Sequence, residues 1–112
     1  MCLFCKIVKR EIPSDIVFEN EHAIGFKDIR PVAPVHALVV PKKHIVGIAE
    51  AEPADAALLG ELLLAARTVA GKLGLAQDGY RLVINSGANA GQSVFHLHVH
   101  ILGGRLMAWP PG

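Results

Sequence analysis

"FHLHVHIL", residues 95–102, alternates an apolar residue with a histidine through three repeats before closing on two apolar residues. A period of two marks an extended strand, because successive side chains point to opposite faces. The spacing predicts a strand over 95–102, with His96, His98 and His100 on one face and Leu97, Val99 and Ile101 on the other. Neighbouring histidines then stand roughly 6.6 Å apart, two rises of ~3.3 Å. A lone histidine in an apolar strand is ordinarily a satisfied core residue. Three on one face would fill a core with polar rings that all need partners. The pattern points to chemistry.

On either side of this strand the chain reads as short elements. Residues 3–10 suit a short helix, stopped before Pro13. Residues 16–18 and 22–27 read as two strands joined by the turn Glu19-Asn20-Glu21. "DIRPVAP" is a loop, and "HALVV", 36–40, is a third strand ended by Pro41. The one long helix is expected over 53–73. Leu58, Leu59, Leu62, Leu63, Ala66, Val69, Ala70 and Leu73 keep helical spacing, Pro53 fits the first turn and Gly74 the C-terminal cap. Leu64 widens that stripe, which suits either a broad core face or a partner subunit. "YRLVIN", 80–85, is a fourth strand, and "SGANAG" is a glycine-rich loop before the fifth. Five short strands with hairpin-length links and one long helix predict an α+β fold with antiparallel pairing.

A chain of 112 residues is long enough for one domain, 1–112, and too short for two. Its 52% hydrophobic and 19% charged residues are those of a folded chain rather than a disordered one. A formal net charge of +1 leaves no basic footprint for nucleic acid, so a charged ligand must be held by local groups. Residues 1–6, "MCLFCK", do not form a signal peptide, and no run is long and apolar enough for a bilayer. Two cysteines without a secretory signal are thiols or metal ligands. The expected location is the cytoplasm, without a membrane partner.

Two chemistries fit aligned imidazoles. One is a metal site, since imidazole is the commonest metal ligand. The other is nucleophilic or acid–base catalysis, for which neutral imidazole is well populated near pH 7. Gly87, Gly91, Gln92 and Ser93 place a donor-rich turn just before the histidines, and such a turn suits a phosphate oxyanion. The combination favours phosphorus chemistry.

"GQSVFHLHVHILGGR", "DIRPVAPVHALVVPKKH" and "RLMAWPPG" resemble the histidine triad (HIT) superfamily, and the Hint branch in particular. The resemblance runs nearly end to end. It implies an α+β meander that dimerises by joining two five-stranded sheets into one of ten strands. It further implies hydrolysis of purine nucleoside phosphoramidates and aminoacyl-adenylates, with release of a nucleoside monophosphate and no catalytic cofactor. Carried over by position, His98 is the nucleophile, His36 orients it, and His100, Ser93 and Asn85 donate to the phosphate or leaving group. Gly91 and Gln92 belong to the phosphate loop and Asp28 to the ribose. Leu3, Phe4, Ile7, Phe26 and Ile29 enclose the base. Trp109 is expected beside the partner subunit's leaving-group side.

The resemblance also implies a structural zinc on Cys2, Cys5, His44 and His96. Cys-x-x-Cys is half of a tetrahedral site; the competing reading is a pair of buried thiols. Arg30 and Val32 depart from the Ser and Gln common in Hint sequences, which bears on substrate preference. The dinucleoside polyphosphate hydrolase branch matches less well, because "ILGGR" stands where that branch carries a proline-containing segment. A nucleotide-binding regulatory or scaffold protein with little turnover would share the same pocket.

Overall fold

"VHALVVP" carries apolar residues at nearly every position, the pattern of a strand covered on both faces. It forms β3 (Val35–Pro41), the middle strand of the sheet. The computed structural model describes residues 2–112. Around β3 stand α1 (Leu3–Val8), β1 (Ile16–Glu19), β2 (Ala23–Lys27), α2 (Ala56–Lys72), β4 (Tyr80–Val83) and β5 (Val99–Gly103). The five strands pair antiparallel in the order β1-β2-β3-β5-β4. The α+β class and the five-strand count agree with the sequence reading.

Only β1 to β3 form a simple meander. The last strand inserts between β3 and β4, so β3 and β4 run parallel with β5 between them. A link long enough to hold α2 permits this, whereas a hairpin-length link would not.

The sheet separates two apolar layers. On one face Ala37, Val39, Leu97, Val99 and Ile101 pack under Leu62, Ala66, Val69 and Ala70 of α2. On the other, Phe4 and Ile7 of α1 pack on Ile24, Phe26, Leu38 and Val40. The α2 stripe differs from the expected one at two positions: Ala65 is buried, and Leu63 is 47% exposed beside Leu64 at 49%. Small residues win the inner face because helix and sheet lie very close. A Cβ on Gly25 would stand 2.8 Å from Val69 Cγ2. Before α2, Pro53–Asp55 forms a separate tight turn, where the Asp55 carboxylate accepts from Glu52 N–H (2.9 Å) and Lys43 Nζ (2.7 Å). Gly74 ends the helix at φ +78°, a left-handed conformation natural to glycine.

The histidine strand begins later than predicted. Regular pairing covers only Val99–Gly103, so His100 alone of the three lies on β5. Residues 94–96 bend and 97–98 stay outside the ladder, where backbone groups find other partners. Leu97 N–H donates to Ile45 O at 2.6 Å, and the His96 carbonyl accepts from His98. β4 likewise ends at Val83, short of Asn85. Among the described residues no helix is long and apolar enough to cross a membrane.

Candidate active site and metal cluster

Antiparallel register decides which side chains meet. His100 lies opposite Leu38 and Leu102 opposite His36, so His36 and His100 share one face as diagonal neighbours. Their rings stand 5.2 Å apart, with His36 Nε2 2.9 Å from His100 Nδ1. The His98 ring sits 5.0 Å from that of His100, and Phe4 of α1 meets it edge-on at 5.1 Å. The three rings thus share a face as the alternation demands, although the strand does not extend through all of them.

The hydrogen bonds fix where each proton sits. His98 Nδ1 lies 2.7 Å from the His96 carbonyl, which can only accept, so Nδ1 carries the hydrogen and the Nε2 lone pair is free. Val32 N–H donates to His36 Nδ1 at 3.2 Å, which places the His36 hydrogen on Nε2. That hydrogen faces His100 Nδ1 and, at 3.4 Å, Asp28 Oδ2. His100 therefore keeps its own hydrogen on Nε2, as a donor. Burial lowers the pKa of His36 against the pull of Asp28. Burial first, then the proximity of His98 and His36, pushes His100 down to about 4. Both rings are neutral at pH 7.

His98 and His100 border a cleft of about 480 Å³, within the range usual for small-molecule sites. Leu3, Phe4 and Ile7 of α1 and Phe26 of β2 form its apolar wall, and Asp28, Ile29 and Ser93 its rim with His98 and His100. All nine were expected there. Ile12, Pro13, Ser14, Leu38 and Val94 also line it and were missed; the first three form a proline-interrupted stretch with no periodic signal, and Leu38 reads as an ordinary strand residue.

Five residues expected at the nucleotide site do not line this cleft. His36 meets His100 rather than His98, because register sets it diagonal to the strand residue, so it bears on His98 only through that ring. Gln92 is buried with its amide used up: Oε1 accepts from Gly87 N–H, and Nε2 donates to Val46 O and Val94 O. It fastens the glycine-rich loop instead of facing the cleft. Asn85 and Gly91 are not among the lining residues. Trp109 is 81% exposed, with the Arg81 guanidinium 5.9 Å from its ring and Arg81 also donating to Ala108 O. The tail is fastened to β4, away from this chain's own cleft.

A second cluster abuts the first. Cys2 caps α1 and Cys5 follows one turn later; His44 comes from the loop after β3 and His96 from the run-in to β5. Cys2 Sγ lies 3.3 Å from His96 Nδ1, Cys5 Sγ 3.3 Å from His44 Nδ1, and the two Nδ1 atoms 3.1 Å apart. Four donors of this kind, each within 4.8 Å of the others, match the edges of a small S2N2 tetrahedron. His96 Nε2 donates to Pro41 O at 2.7 Å, which frees Nδ1 toward the cluster, as a supporting carbonyl does for a ligating histidine. Burial raises the Cys5 thiol pKa, with Cys2 adding to it.

Asp28, His36 and His100 also lie within ligand distance of one another. There the chemistry disagrees. A cation on His36 Nε2 would need the hydrogen on Nδ1, where Val32 N–H already points. The two clusters are thus distinguished by their supporting bonds.

Comparison with known proteins agrees with this geometry. A "14 kDa zinc-binding protein" of Zea mays is 52% identical over 98% of this chain and 87% of its own length. The crystal structure of a HIT family hydrolase from Legionella pneumophila superposes with a TM-score of 0.97 at 50% identity, covering 100% of both chains. A histidine triad nucleotide-binding protein from Candida albicans gives 0.81 at 32% identity, covering 96% of this chain and 84% of its own. The family model described as HIT domain matches residues 9–107, and on that match the chain belongs to the HIT family.

Proposed function

We propose that this protein is a Hint-type hydrolase that cleaves the P–N bond of purine nucleoside phosphoramidates, and the acyl-phosphate P–O bond of aminoacyl-adenylates, through a covalent nucleotidyl-His98. The observation that carries this reading is the bond from His98 Nδ1–H to the His96 carbonyl, which leaves a nucleophilic Nε2 at the wall of a cleft sized for a nucleoside. The HIT family hydrolase of L. pneumophila and the nucleotide-binding relative of C. albicans support it by similarity.

In the first step the Nε2 lone pair attacks phosphorus, an Nε2–P bond forms and the P–N bond breaks. The leaving nitrogen takes its proton from solvent, because a neutral His100 donates hydrogen bonds rather than protons. His100 Nε2–H and the Ser93 hydroxyl hold the phosphoryl oxygens where charge grows. Asp28 takes the ribose hydroxyls, and Leu3, Phe4, Ile7, Phe26 and Ile29 cover the base. In the second step water attacks phosphorus, the Nε2–P bond breaks and nucleoside monophosphate leaves. No cofactor takes part.

The same reading gives Cys2, Cys5, His44 and His96 one structural zinc ion, for which the donor set and the Pro41 support are suited. It also makes the protein a homodimer, with Trp109 serving the partner's site.

Turnover of a fluorogenic adenosine phosphoramidate and intact-mass detection of a nucleotidyl adduct on His98 test the proposal. His98→Ala should lower turnover by about 10^4-fold or more while AMP still binds. A variant within about tenfold of the parent would overturn the nucleophile assignment. Tight AMP binding without turnover by the parent would indicate a binding protein, and hydrolysis confined to dinucleoside polyphosphates the other enzymatic branch.

A further inference from the structure

α1 has only six residues, well below the ~12–15 that hold an isolated helix in water. It is therefore held by what its side chains grip, and they grip two different things. Cys2 and Cys5 reach the metal cluster, whereas Leu3, Phe4 and Ile7 form the apolar wall of the cleft. Phe4 stands at the joint. Its ring meets Phe26 at 5.6 Å, His98 at 5.1 Å and His96 at 6.0 Å, all edge-on. His96 joins the same two regions from the opposite side. Its ring belongs to the cluster, and its carbonyl receives the His98 hydrogen. The third corner, His44, is tied in by Ile45 O, which accepts from Leu97 N–H, and by Val46 O, which accepts from Gln92.

We infer that zinc in the Cys2–Cys5–His44–His96 cluster and a nucleotide in the cleft bind with positive coupling, because both are held by α1. An ion linking α1 to the His44 and His96 loops fixes the wall that Phe4 and Ile7 present to the base. Without it the wall rests on the buried Phe4 and Ile7 with Val8 beside them, on the backbone bonds of α1 itself, and on a weak Cys5 N–H to Cys2 Sγ contact of 3.4 Å. A nucleotide must then order α1 as it binds, which weakens its affinity. Linkage makes the effect reciprocal, so a bound nucleotide tightens zinc by the same factor. The inference rests on the nucleotide reading of the cleft.

Calorimetric titration of AMP into zinc-loaded and chelator-stripped protein tests one direction. Competition for Zn2+ against a chromophoric chelator, with and without AMP, tests the other. AMP should bind about tenfold more weakly to the stripped form, and zinc about tenfold more tightly with AMP present. Amide exchange over residues 3–8 should speed up on stripping while that of β3 stays protected. In zinc-loaded Phe4→Ala, AMP should no longer change the zinc affinity. Amide exchange over residues 3–8 in zinc-loaded protein, which AMP should slow, needs no stripped form and decides the matter if that form unfolds; exchange unchanged by bound AMP overturns the coupling. Equal AMP affinity in both forms, or a Phe4→Ala response equal to the parent's, overturns the coupling alone. Absence of AMP binding to either form overturns the nucleotide reading and the coupling with it.

Discussion

His100 shows how much a single ring's surroundings decide. It titrates near 6.5 when unfolded and about 4 when folded, burial being the main cause and His98 and His36 adding to it. The unfolded chain therefore takes up this proton first as the solution is acidified. The stability tied to a neutral His100 is complete above pH 6.5 and is lost as pH falls toward 4, by at most about 3 kcal/mol. His36 and His96 are displaced in the same direction, also mainly by burial. Urea melts of the protein between pH 7 and 4 should show falling midpoints, and His100→Asn should flatten the slope. A parent profile that stays level over this range would contradict the buried, neutral chain of rings. None of this was legible in the sequence. The triplet marks candidate residues, but the tautomers depend on Val32 N–H and the His96 carbonyl, two backbone groups that no side-chain pattern announces.

Among the elements, α2 was legible in position and only partly in orientation. Its apolar residues cover more of the helix than one face can bury, so leucine and alanine compete for the inside, and the sequence cannot say how near the sheet will come. Gly25 answers that question: β2 gives up a side chain so that Val69 can approach. Gly25→Val should cost about 1–3 kcal/mol, since branched carbons would enter space already filled by the Val69 methyl. Chemical denaturation measures it, and pairing with Val69→Ala should recover part of the loss. A neutral Gly25→Val would mean that helix and sheet can separate freely. The start of β5 was misplaced for a related reason. Alternation continues through 96–98 because the faces stay the same, while the ladder itself has yielded to bonds that Leu97 N–H donates to Ile45 O and His96 Nε2–H to Pro41 O.

For the whole molecule, the sheet divides labour between its faces: α2 and an apolar layer on one, cleft and cluster on the other. The cluster was legible in part: Cys-x-x-Cys is a short local signal, whereas His44 and His96 came only from the family resemblance, and the fold brings the four together. The outer surface retains Leu63, Leu64 and Trp109, which a two-fold partner would cover. The proposed dimer predicts twice the monomer mass by light scattering at micromolar concentration. Leu64→Glu should shift that mass toward the monomer and leave the helix content unchanged. A monomeric parent, or an unshifted variant, would refute the dimer.

The strand order has a consequence for biosynthesis. β5 is translated after β4, yet it occupies the place between β4 and β3. While a nascent chain emerges, β4 has no sheet neighbour, and His36 waits with neither His98 nor His100 in reach. A message truncated before codon 99 would yield a chain whose first three strands can pair but whose catalytic face does not exist. The position of the fifth strand thus ties assembly of the proposed site to translation beyond residue 103.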